Sequence, residues 1–246
     1  MHLLEGKGVS IHFGGLAAVD NVDFFVDKGE IVGLIGPNGA GKTTLFNLIS
    51  AALEPKSGEI FFQGKKINGK KPFQICRMGI ARTFQTVKTF GNLSVLENVR
   101  IGALFGPPHS NTSDQATKDA LECLEFVGIA KAVYNSPARD LTLGNQKRLE
   151  VARALAAKPQ IILLDELMAG LNHTEVTEAM DDVKEIRNRG ITIVMIEHVM
   201  KAIMGICDRI IVLHHGQKIA DGTPQEVTNS KKVIEVYLGE QSNAGS

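Results

Sequence analysis

Apolar positions along this chain fall into two kinds of run. Apolar blocks of strand length occur at 31–35 (Ile31-Val32-Gly33-Leu34-Ile35), at 161–164 and, interrupted only by Thr192, at 191–196. A block of that kind predicts a strand buried on both faces, as in a parallel sheet covered by helices. Elsewhere the period is two. Residues 9–13 and 20–26 alternate, most clearly at Val22, Phe24 and Val26, with Gly14-Gly15 as the turn between them. Residues 59–62 and 65–67 predict a hairpin around Gln63-Gly64, and 79–83 a further strand that runs into Phe84-Gln85.

Helical periodicity fills much of the rest. Residues 44–49 can continue a helix that starts near Gly41. Ser94-Val95-Leu96-Glu97 is a capping-box pattern that opens another. Ala116, Ala120, Cys123, Leu124 and Val127 share one helical face. Leu149, Ala152 and Ala156 share the face of a helix that opens at 141–146 and runs to about Ala157. Val176, Ala179, Met180, Val183 and Ile186 make a stripe that Gly190 stops. Gly106-Pro107-Pro108-His109-Ser110-Asn111 predicts a loop. Residues 210–213 and 217–220 predict a hairpin around His214-His215-Gly216, and 224–229 and 231–238 predict short terminal helices before a frayed end at 240–246. The alternation of strand and helix predicts an α/β fold. A β-rich segment precedes it, and a helical insert at about 91–150 interrupts it, too short to fold separately.

One loop carries candidate chemistry by itself. Gly36-Pro37-Asn38-Gly39-Ala40-Gly41-Lys42-Thr43 fits G-x-x-x-x-G-K-[ST], which wraps nucleotide phosphates. Its glycines let successive backbone N–H groups turn inward around anionic oxygens, and the helix beginning near Gly41 adds its positive end. Lys42 is placed to reach the β- and γ-phosphates, and Thr43 to put its hydroxyl on Mg²⁺. The strand predicted before this loop and the helix after it are the context the motif requires. The block at 161–164 ends in two carboxylates, Asp165 and Glu166, where open α/β sheets bind ligands. The block at 191–196 ends at Glu197-His198. Phe13 reads either as a core aromatic or as a flat face for an adenine base.

Composition removes several alternatives. A chain of 246 residues can bury a full core. Lys plus Arg equals Asp plus Glu, at 27 each, so no global field draws the chain to nucleic acid or an anionic membrane surface. Lys65, Lys66, Lys70 and Lys71 read as a solvated hairpin edge, with no interleaved aromatic platform for a nucleic acid. No apolar run approaches the ~20 residues that span a bilayer. The start of the chain lacks a basic stretch followed by an apolar one, so no signal peptide is expected and the chain should stay in the cytoplasm. Cys76, Cys123 and Cys207 are scattered without metal-ligand spacing and read as reduced packing residues. His214 and His215 have no carboxylate or cysteine near them in sequence to complete a metal site.

The order of phosphate loop, Asp165-Glu166 and His198 resembles the ATP-binding cassette (ABC) family of ATPases over nearly the whole chain. The resemblance implies a P-loop nucleotide-hydrolase core, a mixed sheet flanked by helices, with an antiparallel β-subdomain and a helical subdomain. It spans 1–246 as one domain, with 222–246 as a C-terminal helical extension. It implies ATP and Mg²⁺ as ligands. Gly36, Pro37, Asn38, Gly39, Ala40, Gly41, Lys42, Thr43 and Thr44 would hold the phosphates, and Phe13 the adenine. Thr43, Asp165 and Gln85 would serve the Mg²⁺ site. Glu166 would be the catalytic carboxylate, His198 the switch histidine at the γ-phosphate, and Gln85 the glutamine near metal and water. Glu166 can accept or orient a proton, while His198 and Lys42 can neutralise developing charge.

The family's signature, L-S-G-G-Q, here reads Leu141-Thr142-Leu143-Gly144-Asn145, followed by a well-matched helix from Gln146. Thr142 keeps a hydroxyl and Gly144 the glycine, whereas Leu143 replaces a glycine and Asn145 the glutamine. Leu167 stands where proline usually follows the acids, and Asn172 where aspartate is usual. By resemblance, Thr142, Gly144 and Asn145 cap the nucleotide of a second cassette, so two chains sandwich two ATP molecules head to tail. With 81–85, 169–172 and the ending from Gly222 to Glu240, these departures resemble the ATPase subunits of branched-chain amino acid importers. The implied partners are a second ABC ATPase subunit, membrane permeases docking near 86–99 and, indirectly, an extracellular or periplasmic substrate-binding protein, with no nucleic acid. The implied place is peripheral, on the cytoplasmic side of the membrane. Urea and amide importers share much of the pattern. A soluble non-transport ABC ATPase and a regulatory subunit without turnover are the other readings; the first lacks the paired cassettes or long insertions expected of it, and Glu166 with His198 argues against the second.

Overall fold

In the computed structural model, which describes residues 1–106 and 112–236, the alternating N-terminal stretch forms a hairpin of β1 (Leu4–Phe13) and β2 (Leu16–Val26). Of the loop expected at 106–111 all but Gly106, the expected end of the last helix at 237–238 and the terminus expected to fray at 240–246 lie outside the described residues. One face of the hairpin is apolar and buried, with Leu4, Val9 and Ile11 on β1 and Val22, Phe24 and Val26 on β2. The unbroken block becomes β3 (Ile31–Ile35), buried at every position, and α1 (Lys42–Ile49) follows the phosphate loop. β4 (Ser57–Phe62) and β5 (Lys65–Lys66) complete an antiparallel sheet in the order β2-β1-β4-β5. Both lysines of β5 are exposed on the sheet edge, and Lys66 Nζ lies 2.6 Å from Glu59.

By contacts the chain divides into two compact units, one formed by Met1–Lys70 with the chain from Thr192 onward, the other by Lys71–Ile191. The second unit opens on α2 (Pro72–Met78), which periodicity did not predict. It buries only Ile75, so it leaves no stripe to read. Its signal is in the caps: Pro72 at the first position, the Gln74 side chain accepting the Lys71 N–H at 2.8 Å, and Gly79 closing the end at φ 104. β6 (Ile80–Arg82) then leads to α3 (Val95–Phe105), α4 (Ser113–Phe126), α5 (Leu143–Ala156), β7 (Ile161–Asp165) and α6 (His173–Asn188). β6 and β7 pair in parallel, with Arg82 opposite Leu163.

The Ser94 capping box forms as its spacing predicts. Ser94 Oγ accepts from the Glu97 N–H at 3.2 Å, and Glu97 accepts from the Ser94 N–H at 2.8 Å. α3 packs on both α4 and α5. The α4 stripe of Ala116, Ala120 and Leu124 is fully buried. Asn98 is buried among the helices with its polar atoms satisfied: its amide donates to the carbonyls of Phe90 and Ser94, and its oxygen accepts from the Phe90 N–H. It pins the segment leading into α3. The helices α3, α4 and α5 share this unit with β6 and β7.

The chain returns to the first unit through β8 (Thr192–Ile196), α7 (Met200–Ile206), β9 (Arg209–His214), β10 (Gln217–Gly222) and α8 (Pro224–Thr228). β3 lies between β8 and β9 and is parallel to both, while β10 is antiparallel to β9. Arg209 fastens this side. Its guanidinium reaches Glu30 at 2.7 Å, Asp221 at 2.6 Å and the Phe25 carbonyl at 2.6 Å, and stacks 4.1 Å over the Phe25 ring. The cysteines are free thiols, and burial pushes Cys207 up to about 12 and Cys123 up to about 11. At neutral pH both are protonated packing groups.

Candidate functional site

In the first unit, two parallel strands deliver their ends to one edge. Leu34 of β3 is opposite Ile196 of β8, so the phosphate loop and Glu197-His198 leave the sheet side by side. The loop is shaped by backbone alone. Gly36 has φ 148 and Gly41 φ 103, and a Cβ on either would strike a carbonyl oxygen, that of Leu213 at 2.1 Å or that of Ala18 at 2.2 Å. These two glycines are therefore required by space as well as by conformation. Gly216 donates to the Ala40 carbonyl at 3.0 Å and holds the loop against the β9–β10 turn.

Lys42 is buried and curls back over the loop, its Nζ donating to the carbonyls of Gly36 at 2.6 Å and Pro37 at 2.8 Å. No side chain caps α1 at Gly41, and no acid lies in its first turn. The helix thus starts with N–H groups that have no intrahelical acceptor and no negative charge competing for them. Asn38, Gly39 and Thr43 are exposed, Thr44 is half-buried, and Pro37 and Ala40 are buried. A glycine loop at positive φ, a helix start and an ammonium are the parts from which a cradle for phosphate oxygens can be built. Phe13 is half exposed at the tip of the β1–β2 hairpin, paired with Leu16, so it is not a core residue. The same hairpin carries Ala18, whose carbonyl backs Gly41. His198 is exposed directly after the buried Glu197.

The second unit presents its acids in the same way. β6 and β7 run in parallel, so Phe84-Gln85 and Asp165-Glu166 leave at one edge. Asp165 is buried and paired with Arg82, whose Nη2 is 2.9 Å from Oδ2, and its backbone N–H donates to Thr83 Oγ1 at 3.1 Å. Glu166 is half-buried, and its Oε2 accepts from Gln85 Nε2 at 3.1 Å. Two residues predicted from separate segments are thereby brought into contact. Glu166 also has φ 52, in the left-handed region that a non-glycine residue seldom takes.

The divergent signature forms the start of α5. Thr142 is the N-cap, its Oγ1 accepting from the Asn145 N–H at 3.4 Å, so Leu143, Gly144 and Asn145 are already the first helical turn. Leu143 is 54% exposed and projects from that turn where a glycine would leave a flat surface. A cavity of about 280 Å³ has a lining that includes Thr142, Asn145, Lys147, Leu167, Leu171 and Glu175. Sequence reasoning missed the cations in this unit. Arg82 holds Asp165, Lys147 donates to the turn after β7, and Arg153 with Glu150 clamps the Lys88 backbone, the carbonyl accepting at 2.8 Å and the N–H donating at 2.7 Å. Glu150 is buried, which pushes its carboxyl above the usual range. Only the i, i+3 spacing of an acid and a base, Glu150 and Arg153, hinted at this clamp.

Comparison with known proteins agrees with this geometry. The family model for the ABC transporter matches residues 19–169, and that for the branched-chain amino acid ATP-binding cassette transporter matches 217–242. The chain is 41% identical over 251 residues to the high-affinity branched-chain amino acid transport ATP-binding protein LivG of Escherichia coli, covering 97% of this chain and 98% of that one. Over the same length it is 38% identical to the corresponding protein BraF of Pseudomonas aeruginosa, again covering 97% and 98%. Among solved structures it is similar to the ADP conformation of an ATP-binding cassette of an ABC transporter, with a TM-score of 0.87 and 32% identity over 97% of this chain and 99% of that one. A dimeric post-hydrolysis cassette bound to ADP and Pi is similar at a TM-score of 0.82 and 28% identity, covering 90% and 98%.

Proposed function

The chain belongs to the ABC transporter family of ATP-binding subunits, and from that membership we propose that it hydrolyses ATP to power uptake of branched-chain or other hydrophobic amino acids through separate permease subunits. What carries the substrate class is the likeness to the LivG and BraF proteins over almost the full length, together with the C-terminal match. The working unit is a pair of such cassettes, peripheral on the cytoplasmic face of the membrane, with a substrate-binding protein feeding the permeases. Residues 91–150 serve as its helical subdomain and 222–246 as its C-terminal extension.

In this reading the backbone of the phosphate loop and Lys42 bind the β- and γ-phosphates, with Thr44 in the first turn of α1, and Phe13 stacks on adenine. Thr142, Gly144 and Asn145 face the nucleotide held by the second cassette. Glu166 accepts the proton of the attacking water, Gln85 steadies that carboxylate, and His198 and Lys42 balance charge gathering on the γ-phosphoryl oxygens. Thr43, Asp165 and Gln85 would be the residues to hold Mg²⁺. The donor set fits that ion, because it is made of hard oxygens. Held there, the ion would supply positive charge to offset that of the substrate's phosphates.

Glu166→Gln tests the reading. ATP binding should be retained, hydrolysis should slow by ~10²–10⁴, and uptake of labelled leucine should stop in cells carrying the variant while uptake of labelled urea is untouched. Wild-type turnover in the variant overturns the role of Glu166. Loss of urea uptake with leucine uptake intact overturns the substrate class.

A further inference from the structure

Lys147 is a buried cation that the chemistry above does not use, 7% exposed and just past the first turn of α5. Its Nζ donates to the backbone carbonyls of Glu166 at 3.1 Å and Leu167 at 3.0 Å, and also to that of Ala169. An ammonium has three protons and no acceptor, so it can serve three carbonyls at once. The three belong to one tight turn, which the Ala169 N–H closes by donating to the Glu166 carbonyl at 3.3 Å.

That turn begins with Glu166 at φ 52. A glutamate has no local reason to hold this conformation, because its Cβ crowds the backbone there and no short side-chain oxygen compensates. Such a residue persists where its surroundings over-determine it. The ammonium supplies that constraint: relaxing the turn would carry three carbonyl dipoles away from a positive charge that has been withdrawn from water. With the backbone so held, the Glu166 side chain reaches Gln85.

We infer that Lys147 is a positioning residue for Glu166, holding the turn after β7 in the conformation that aims the carboxylate. The inference rests on the proposed role of Glu166. Because Lys147 stands on the helix that Thr142 caps, the aim of the carboxylate depends on where the start of α5 lies.

The test is steady-state ATP turnover and nucleotide affinity of the full chain in Lys147→Met, Lys147→Arg and Glu166→Gln, singly and with K147M and E166Q combined. K147M should lower kcat by about 10- to 100-fold, the cost of misplacing a reacting group by about 1 Å, with ATP affinity within about two-fold. K147R, which keeps several donors, should recover most of the loss. In the E166Q background K147M should change turnover by less than about two-fold, since there is no longer a carboxylate to aim. A K147M chain that turns over normally, or one whose loss multiplies in full with that of E166Q, overturns the inference. So does loss of nucleotide affinity in place of kcat. If K147M does not fold, K147R and Lys147→Gln decide it: kcat graded with the number of donors supports positioning, and equal kcat in the two refutes it. E166Q at wild-type speed would instead remove the premise, a result that the single variant gives by itself.

Discussion

The phosphate loop and the acid-bearing turn solve one problem by different means. Each must present polar groups at the end of a buried parallel strand. The loop does so with its own backbone. Gly36 and Gly41 take conformations open to glycine, and the cation that closes the loop, Lys42, bonds to carbonyls five and six residues away. The acid-bearing turn cannot hold itself. Asp165 depends on Arg82, 83 residues earlier, and Glu166 touches Gln85, 81 residues earlier, while its backbone is held by Lys147 from 19 residues before. A site that binds can be built as a compact local motif. A site that must aim a carboxylate is assembled here from three segments, and its precision is only as good as their packing.

Removing a long-range cation should therefore cost stability, and removing the local one should cost binding. The largest effect on stability is expected for Arg82→Leu. It leaves the Asp165 carboxylate 1% exposed with its ion pair lost, which should destabilise the chain by about 3–5 kcal/mol in denaturant unfolding. ATP affinity, measured below the shifted unfolding transition, should hold. An equal loss of affinity would break the contrast between the two regions. Lys42→Ala should do the opposite. Hydrogen bonds to a charged group are worth about 1.5–3 kcal/mol, so fluorescent-nucleotide titration should show affinity reduced by up to roughly 100-fold, with the unfolding midpoint changed far less. Undiminished affinity would remove the loop from the site. The smallest effect is expected at a purely local feature of the second unit. Ser94→Ala should cost about 1 kcal/mol of stability and leave nucleotide affinity alone. The same cap is sensitive to acid. The Ser94 backbone and hydroxyl hydrogen bonds hold the Glu97 carboxyl below its usual range, so its contribution is present at neutral pH and fades as pH falls through that lowered value.

Much of this was legible in advance because the signals are short in range. The blocks that became β3, β7 and β8 are mostly apolar, and each of these strands is buried at every position. The phosphate loop, the Ser94 cap and the stripe on α6 each fit within a few turns of chain. α2 was not legible: a seven-residue helix that buries one side chain has no period to detect. Phe13 left two readings open, and its half-exposed place at a hairpin tip removes the core reading. The cations of the second unit were invisible for another reason. Arg82 and Lys147 look like ordinary surface residues in the sequence, and nothing near them in the chain reveals the groups they hold; Arg153 shows its acid, Glu150, three residues before it, but not the Lys88 backbone that the two clamp.

The sequence by itself determined the order of elements, the identity of the phosphate loop and the residue types at the ends of the buried strands. Those follow from local backbone preference and from apolar periodicity, which act over a few residues. Only the tertiary structure decided which cation meets which carboxylate or carbonyl, that Thr142 caps a helix in which Leu143 and Asn145 are already turned, and that Glu166 sits in a left-handed turn under an ammonium. Electrostatic pairing and desolvation depend on distance in space, and residues 82, 147 and 165 share no distance until the chain has packed.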